Sequence, residues 1–94
     1  MSEPRVTITE EGRSGSVVYE EEGQRIGGWW EFAGGDAIAI VNMGSAEEWR
    51  HGQAWAVERR SGILRFVAAE VVRQKAGGCR AEIDEPNGWI TIRR

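Results

Sequence analysis

Apolar and polar positions alternate through the first 41 residues of the chain. Alternation with a period of two is typical of a half-buried β-strand. We therefore predict four strands, at residues 5–9, 16–21, 24–32 and 37–41. The segments between them are short and contain glycine, which accepts the positive φ angles of tight turns. The fourth strand is apolar on both sides, so we expect it in the middle of a sheet.

In the second half of the chain the spacing of the apolar residues becomes typical of a helix. Ser45 and Glu48 have the spacing of a capping box, which predicts a short helix carrying Trp49. Residues 53–60 show no clear period, and both helix and loop stay open for them. A long helix is predicted over residues 61–76, with Ser61 as its N-cap. Its apolar stripe comprises Ile63, Leu64, Val67, Ala68, Val71 and Val72.

The C-terminal segment predicts a β-hairpin. Its turn, Glu85-Pro86-Asn87-Gly88, has proline and glycine at the positions that a type I turn favours. A loop there places two apolar pairs on one face, Ile83 opposite Ile90 and Ala81 opposite Ile92. The predicted order is ββββ-α-ββ. This is a single α+β domain over residues 1–94, an antiparallel sheet of about six strands with one long helix packed on one face.

A single helix covers only one face of such a sheet. Trp29 and Trp89 fall on the strand faces opposite to Trp30, Ile90 and Ile92, which we expect to face the helix. The two tryptophans are then on the open face, where large apolar side chains mark interaction sites. We therefore expect a homodimer that forms through the open sheet face.

Composition and charge exclude several classes of protein. No stretch of 18 apolar residues is present and no apolar segment follows the N-terminus, so we expect a soluble, cytoplasmic protein without a membrane partner. With one cysteine, Cys79, no disulfide can form within the chain. The net charge of −3 makes the chain a poor nucleic-acid binder.

The charge is unevenly divided between the two halves. Residues 1–48 contain ten acids and three arginines, and residues 49–94 contain five acids and nine bases. The balances are −7 and +4. We expect the halves to neutralise each other in part within the fold, although an acidic half can also bind a basic partner.

Tryptophan is the most unusual feature of the composition, with five residues in 94. We predict a ligand- or partner-binding surface or pocket formed by Trp29, Trp49, Trp55 and Trp89. Indole rings are suited to small apolar ligands, cationic ligands and protein partners. No cofactor motif is present, and His51 with Cys79 offers too few ligands for a zinc site.

Three functions follow, in order of preference. The first is a non-enzymatic, homo-oligomeric binding module that uses the tryptophan-rich surface. The alternative is an immunity or antitoxin-like protein that binds a basic toxin through its acidic N-terminal half. The third is a small enzyme that uses His51, the only histidine, with a carboxylate.

Overall fold

The computed structural model describes residues 3–94 and contains one six-stranded antiparallel sheet. The strands are β1 (Arg5–Ile8), β2 (Ser14–Glu21), β3 (Gln24–Phe32), β4 (Ala37–Asn42), β5 (Arg80–Asp84) and β6 (Trp89–Arg93). Helices α1 (Ala46–Gly52) and α2 (Arg60–Lys75) connect β4 to β5, with a 3₁₀ helix, Ala54–Arg59, between them. The spatial order is β1-β2-β3-β4-β6-β5. The predicted α+β class, strand count and ββββ-α-ββ order are confirmed.

Local turn chemistry fixes the strand registers. Between β2 and β3, Glu22 and Gly23 both have positive φ, 43° and 81°, as a two-residue hairpin turn requires. Between β5 and β6, the predicted pairs Ile83–Ile90 and Ala81–Ile92 are present. β4 lies between β3 and β6, the central position that its apolar sequence predicted.

The two α-helices agree with those predicted from the sequence, except at the residue where α2 begins. In the capping box of α1, Ser45 Oγ accepts from the Glu48 amide at 3.1 Å, and Glu48 Oε1 accepts from the Ser45 amide at 2.8 Å. The prediction of Ser61 as N-cap is wrong, because the 3₁₀ helix leads directly into α2 at Arg60. The Arg60 amide already donates to the Val57 carbonyl, so the first turn needs no side-chain cap.

All buried side chains of the sheet lie on one face, in one core with those of the three helical segments. Trp30, Ile90 and Ile92 belong to this helix-covered face, and five of the six stripe residues of α2 are buried against it. Gly28 brings β3 close to β4, since a Cβ there would lie 2.4 Å from the Asn42 carbonyl oxygen. Position 28 therefore has no room for a larger residue unless the two strands move apart.

Candidate functional site

In the part of the chain that the structure describes, the opposite side of the sheet has no buried side chain, and we call it the uncovered face. The strand registers place its residues in cross-strand rows. Its apolar side chains form a band across four strands: Val18 on β2, Trp29 on β3, Ile40 on β4 and Trp89 on β6. By register these four residues occupy three adjacent rows, and Ile40 lies between Glu31 and Thr91 in its row.

Trp29 and Trp89 contact each other at the centre of this band. Their ring centroids are 5.5 Å apart and the rings are nearly perpendicular, at 87°, the edge-to-face arrangement that aromatic pairs favour. Asn42 lies between them in the register. Its amide is engaged locally, because Nδ2 donates to the Asn87 carbonyl and Oδ1 accepts from the Gly44 amide. Trp29 remains 41% exposed, so a large part of its ring is open to a partner.

The charges of the uncovered face balance. By register it carries four arginines (Arg5, Arg25, Arg80, Arg93) and four carboxylates (Glu20, Glu31, Glu82, Asp84). Glu20 pairs with Arg5 and Arg25 at 3.3 and 3.5 Å. Glu82 accepts from Arg93 at 2.7 Å, and this hydrogen bond lowers the pKa of Glu82. The face therefore has no net charge, although the chain carries −3.

The other two tryptophans of the predicted surface lie on the helical side. Trp49 is 1% exposed, and its indole N–H donates to the Met43 carbonyl at 2.7 Å. Trp55 is half-buried on the 3₁₀ helix, where it packs against the core beneath the Arg59 guanidinium. The structure thus brings Trp29 and Trp89 together but does not join them with Trp49 and Trp55.

Arg60 is buried in a way that the sequence did not indicate. It is 4% exposed, and its guanidinium lies 4.6 Å from the centre of the Trp49 ring. Nη2 donates to the carbonyls of Gly44 and Glu85, while Nε and Nη1 have no partner among residues 3–94. Burial lowers the pKa of this guanidinium. Arginine is rarely buried, and residue 60 lies in a segment without periodicity, so no sequence signal marked it.

A hydrogen-bonded chain links the β2–β3 hairpin to the 3₁₀ helix. Arg59 Nη2 donates to Glu21 Oε1 at 2.7 Å, and the Tyr19 hydroxyl donates to the same oxygen at 2.8 Å. The two hydrogen bonds lower the pKa of Glu21. Burial of Tyr19, followed by its hydrogen bond to Glu21 and that carboxylate's charge, raises the pKa of Tyr19 to about 12.

This raised pKa makes stability depend on alkaline pH. Between pH 10 and 12 the phenol ionises in the unfolded chain but keeps its proton in the fold, so the free energy of unfolding falls as pH rises. We expect Tyr19 to account for a fall of about 2 kcal/mol across this window. Urea titrations of the wild type and of Tyr19→Phe at several pH values measure the difference. An equally steep fall in both proteins would contradict the role of Tyr19.

His51 belongs to α1, and Cys79 immediately precedes β5. His51 is exposed near the end of α1, and Cys79 is half-buried against the core. Within residues 3–94 no three His, Cys, Asp or Glu side chains are grouped to hold a metal ion. The hypothesis of a small enzyme that uses His51 with a carboxylate stays a prediction.

Among residues 3–94, three ion pairs connect the acidic and basic halves of the chain. Lys75 pairs with Glu10, Arg59 with Glu21, and Arg93 with Asp36. These contacts neutralise part of the acidic excess inside the fold. The hypothesis of an antitoxin-like protein stays a prediction.

Two further observations do not concern a particular site. No helix within the described residues is long and apolar enough to cross a membrane. The search of known proteins gave no significant match to this chain among protein-family models, curated proteins or solved structures.

Proposed function

We propose that this protein is a non-enzymatic binding module whose uncovered face is its interaction surface, and that the face binds a second copy of the chain. The observation that carries the proposal is the half-exposed Trp29, held edge-to-face against Trp89 on the one side of the sheet that no helix covers. Tryptophan is enriched among the residues that dominate binding energy at interfaces.

The size of the face is suited to a dimer. Six strands at a spacing of about 4.8 Å give a width of about 24 Å, and their lengths of four to nine residues average about 20 Å. The flat projection is therefore about 500 Å². Side chains project from this plane, so the accessible area of the face is larger than its projection. It approaches the roughly 800 Å² per partner that a standard interface buries.

Charge favours a second copy over a charged partner. Four arginines and four carboxylates leave the face neutral, so an identical face does not repel it. A strongly acidic or basic partner gains no long-range attraction from such a surface. Two twisted sheets pack face to face about 10 Å apart, and the indoles of both copies would fill that space.

Sedimentation velocity across a wide concentration range tests the dimer. We expect the wild type to associate and Trp29→Glu to raise the dissociation constant by about thirtyfold or more, the effect of losing a hot-spot residue worth about 2 kcal/mol. The substituted carboxylate would also be buried without a partner at the interface. Circular dichroism of the variant checks that the fold is retained.

Ile83→Glu is the matched control. Ile83 is an exposed apolar residue of β5, 36% accessible, and by register it lies on the helix-covered side with Ile90. We expect this variant to associate like the wild type. A monomeric wild type at high concentration, or equal dissociation of both variants, would overturn the proposal.

A further inference from the structure

An apolar cavity of about 130 Å³ opens between the C-terminal end of α2 and the helix-covered face of the sheet. Its floor consists of Val17, Val41 and Ile92, each at most 1% exposed, and Val71 of α2 closes it from above. The cavity therefore reaches the core. Protein interiors are normally packed without voids of this size, so an open apolar space is a feature to be explained.

Small side chains and one strand irregularity create this space. Ala39 of β4 and Ala76, just after α2, line the cavity where larger residues would fill it. The pairing of β4 with β6 shifts between Ala37 and Ala39, and the intervening Ile38 also lines the cavity. The inner part of the cavity is thus bounded by residues whose positions the fold sets.

Two aromatic rings form one wall. Trp30 and Phe32 lie edge-to-face, with ring centroids 5.2 Å apart. The indole N–H of Trp30 donates to the Thr9 carbonyl at 2.8 Å, so the polar atom of this wall is already satisfied. Phe32 is 49% exposed and borders the opening. The two rings are nearly perpendicular, at 80°, so together they present a ring face and a ring edge, and an aromatic ring packs favourably against either.

The charged groups at the opening satisfy each other. Lys75 Nζ lies 2.5 Å from Glu10 Oε2, and both side chains are largely exposed. The carbonyl end of α2 lies beside Lys75 and carries partial negative charge, which disfavours an anion. An uncharged ligand therefore needs no rearrangement of this pair, whereas a carboxylate would have to displace Glu10.

We propose that this cavity binds an uncharged apolar molecule about the size of one six-membered ring. An engineered apolar cavity of about 150 Å³ in another protein stays dry and binds benzene, which is the scale of the space here. The proposal is independent of the dimer, because the cavity lies on the other side of the sheet from Trp29.

Thermal unfolding of the full chain with toluene tests the proposal, with benzoate as the charged analogue. We expect toluene to raise the unfolding temperature of the wild type saturably, by several degrees at concentrations well above its Kd. Ala39→Ile should raise the unfolding temperature without ligand and remove the response to toluene. If Ala39→Ile does not fold, Ala76→Leu takes its place in the test, because it fills the same space from the helix side.

Two controls separate the possible outcomes. Ala69→Ile, an exposed position of α2, should respond to toluene like the wild type. Trp29→Glu should also keep the response, whatever its oligomeric state. No saturable shift in the wild type would overturn the site, and tighter binding of benzoate than of toluene would overturn the uncharged class of ligand.

Discussion

Replacing Trp49 with alanine is expected to lower the free energy of unfolding by about 4 kcal/mol, within the range for buried aromatic side chains. The indole is 1% exposed, and the guanidinium of Arg60 lies 4.6 Å from its ring centre. The indole also lies close to Gly44, where an added Cβ would be only 3.2 Å from the indole nitrogen. Its N–H satisfies the Met43 carbonyl. The substitution removes the packing, the cation–π contact and that hydrogen bond together.

Trp49→Phe separates these contributions. A phenyl ring keeps most of the packing but leaves the Met43 carbonyl without its donor, which costs about 1–3 kcal/mol when the acceptor stays buried. Urea unfolding followed by circular dichroism measures all variants, with the partly exposed Ile83→Ala as control. If Trp49→Ala lost no more stability than Ile83→Ala, the central position of Trp49 in the core would be contradicted.

The sequence was sufficient for the strands, the long helix and the two sheet faces. Each depends on local signals: alternation in β3, the stripe of α2, and turn residues that set register by themselves. The opposite placement of Trp29 and Trp30 follows from the period of two alone. Because register and alternation are local, the Trp29–Trp89 side of the sheet could be predicted without any long-range information.

The positions of Trp49 and Arg60 could not be predicted in this way. A seven-residue helix has only two turns, so its spacing does not decide which side is buried. Arg60 enters the core because two loops, distant in sequence, present the carbonyls of Gly44 and Glu85 to it. Such contacts exist only after the sheet has brought β4 and β6 together.

The cavity was missed for the same reason. Ala39 and Ala76 are unremarkable as sequence, and alanine is common in both strands and helix ends. In the fold both alanines lie beside the irregular pairing of β4 with β6. Their small side chains leave a volume there that no other side chain fills. The predicted binding surface comprised Trp29, Trp49, Trp55 and Trp89, whereas the cavity uses Trp30, which alternation places inside.

A second large effect is expected at Gly88, where alanine should cost about 3 kcal/mol of unfolding free energy. Gly88 has a φ of 78°, which strains any residue with a Cβ. A Cβ there would also lie 2.0 Å from the Gly44 carbonyl oxygen, a contact between two backbones that no side-chain rotation relieves. The β5–β6 turn must then move away from Gly44, which weakens the hydrogen bond from the Met43 amide to the Gly88 carbonyl.

Gly23→Ala separates the cost of the positive φ from the cost of the contact with Gly44. Gly23 has nearly the same φ, 81°, but a Cβ there meets nothing within 4 Å, so we expect a loss of about 1 kcal/mol. Urea unfolding of the two variants side by side gives the difference. Equal losses would mean that Gly88 is needed only for its turn conformation, as the Pro-Asn-Gly signal alone predicts. A larger loss at Gly88 identifies the contact with Gly44 as the constraint that joins the C-terminal hairpin to the loop before α1.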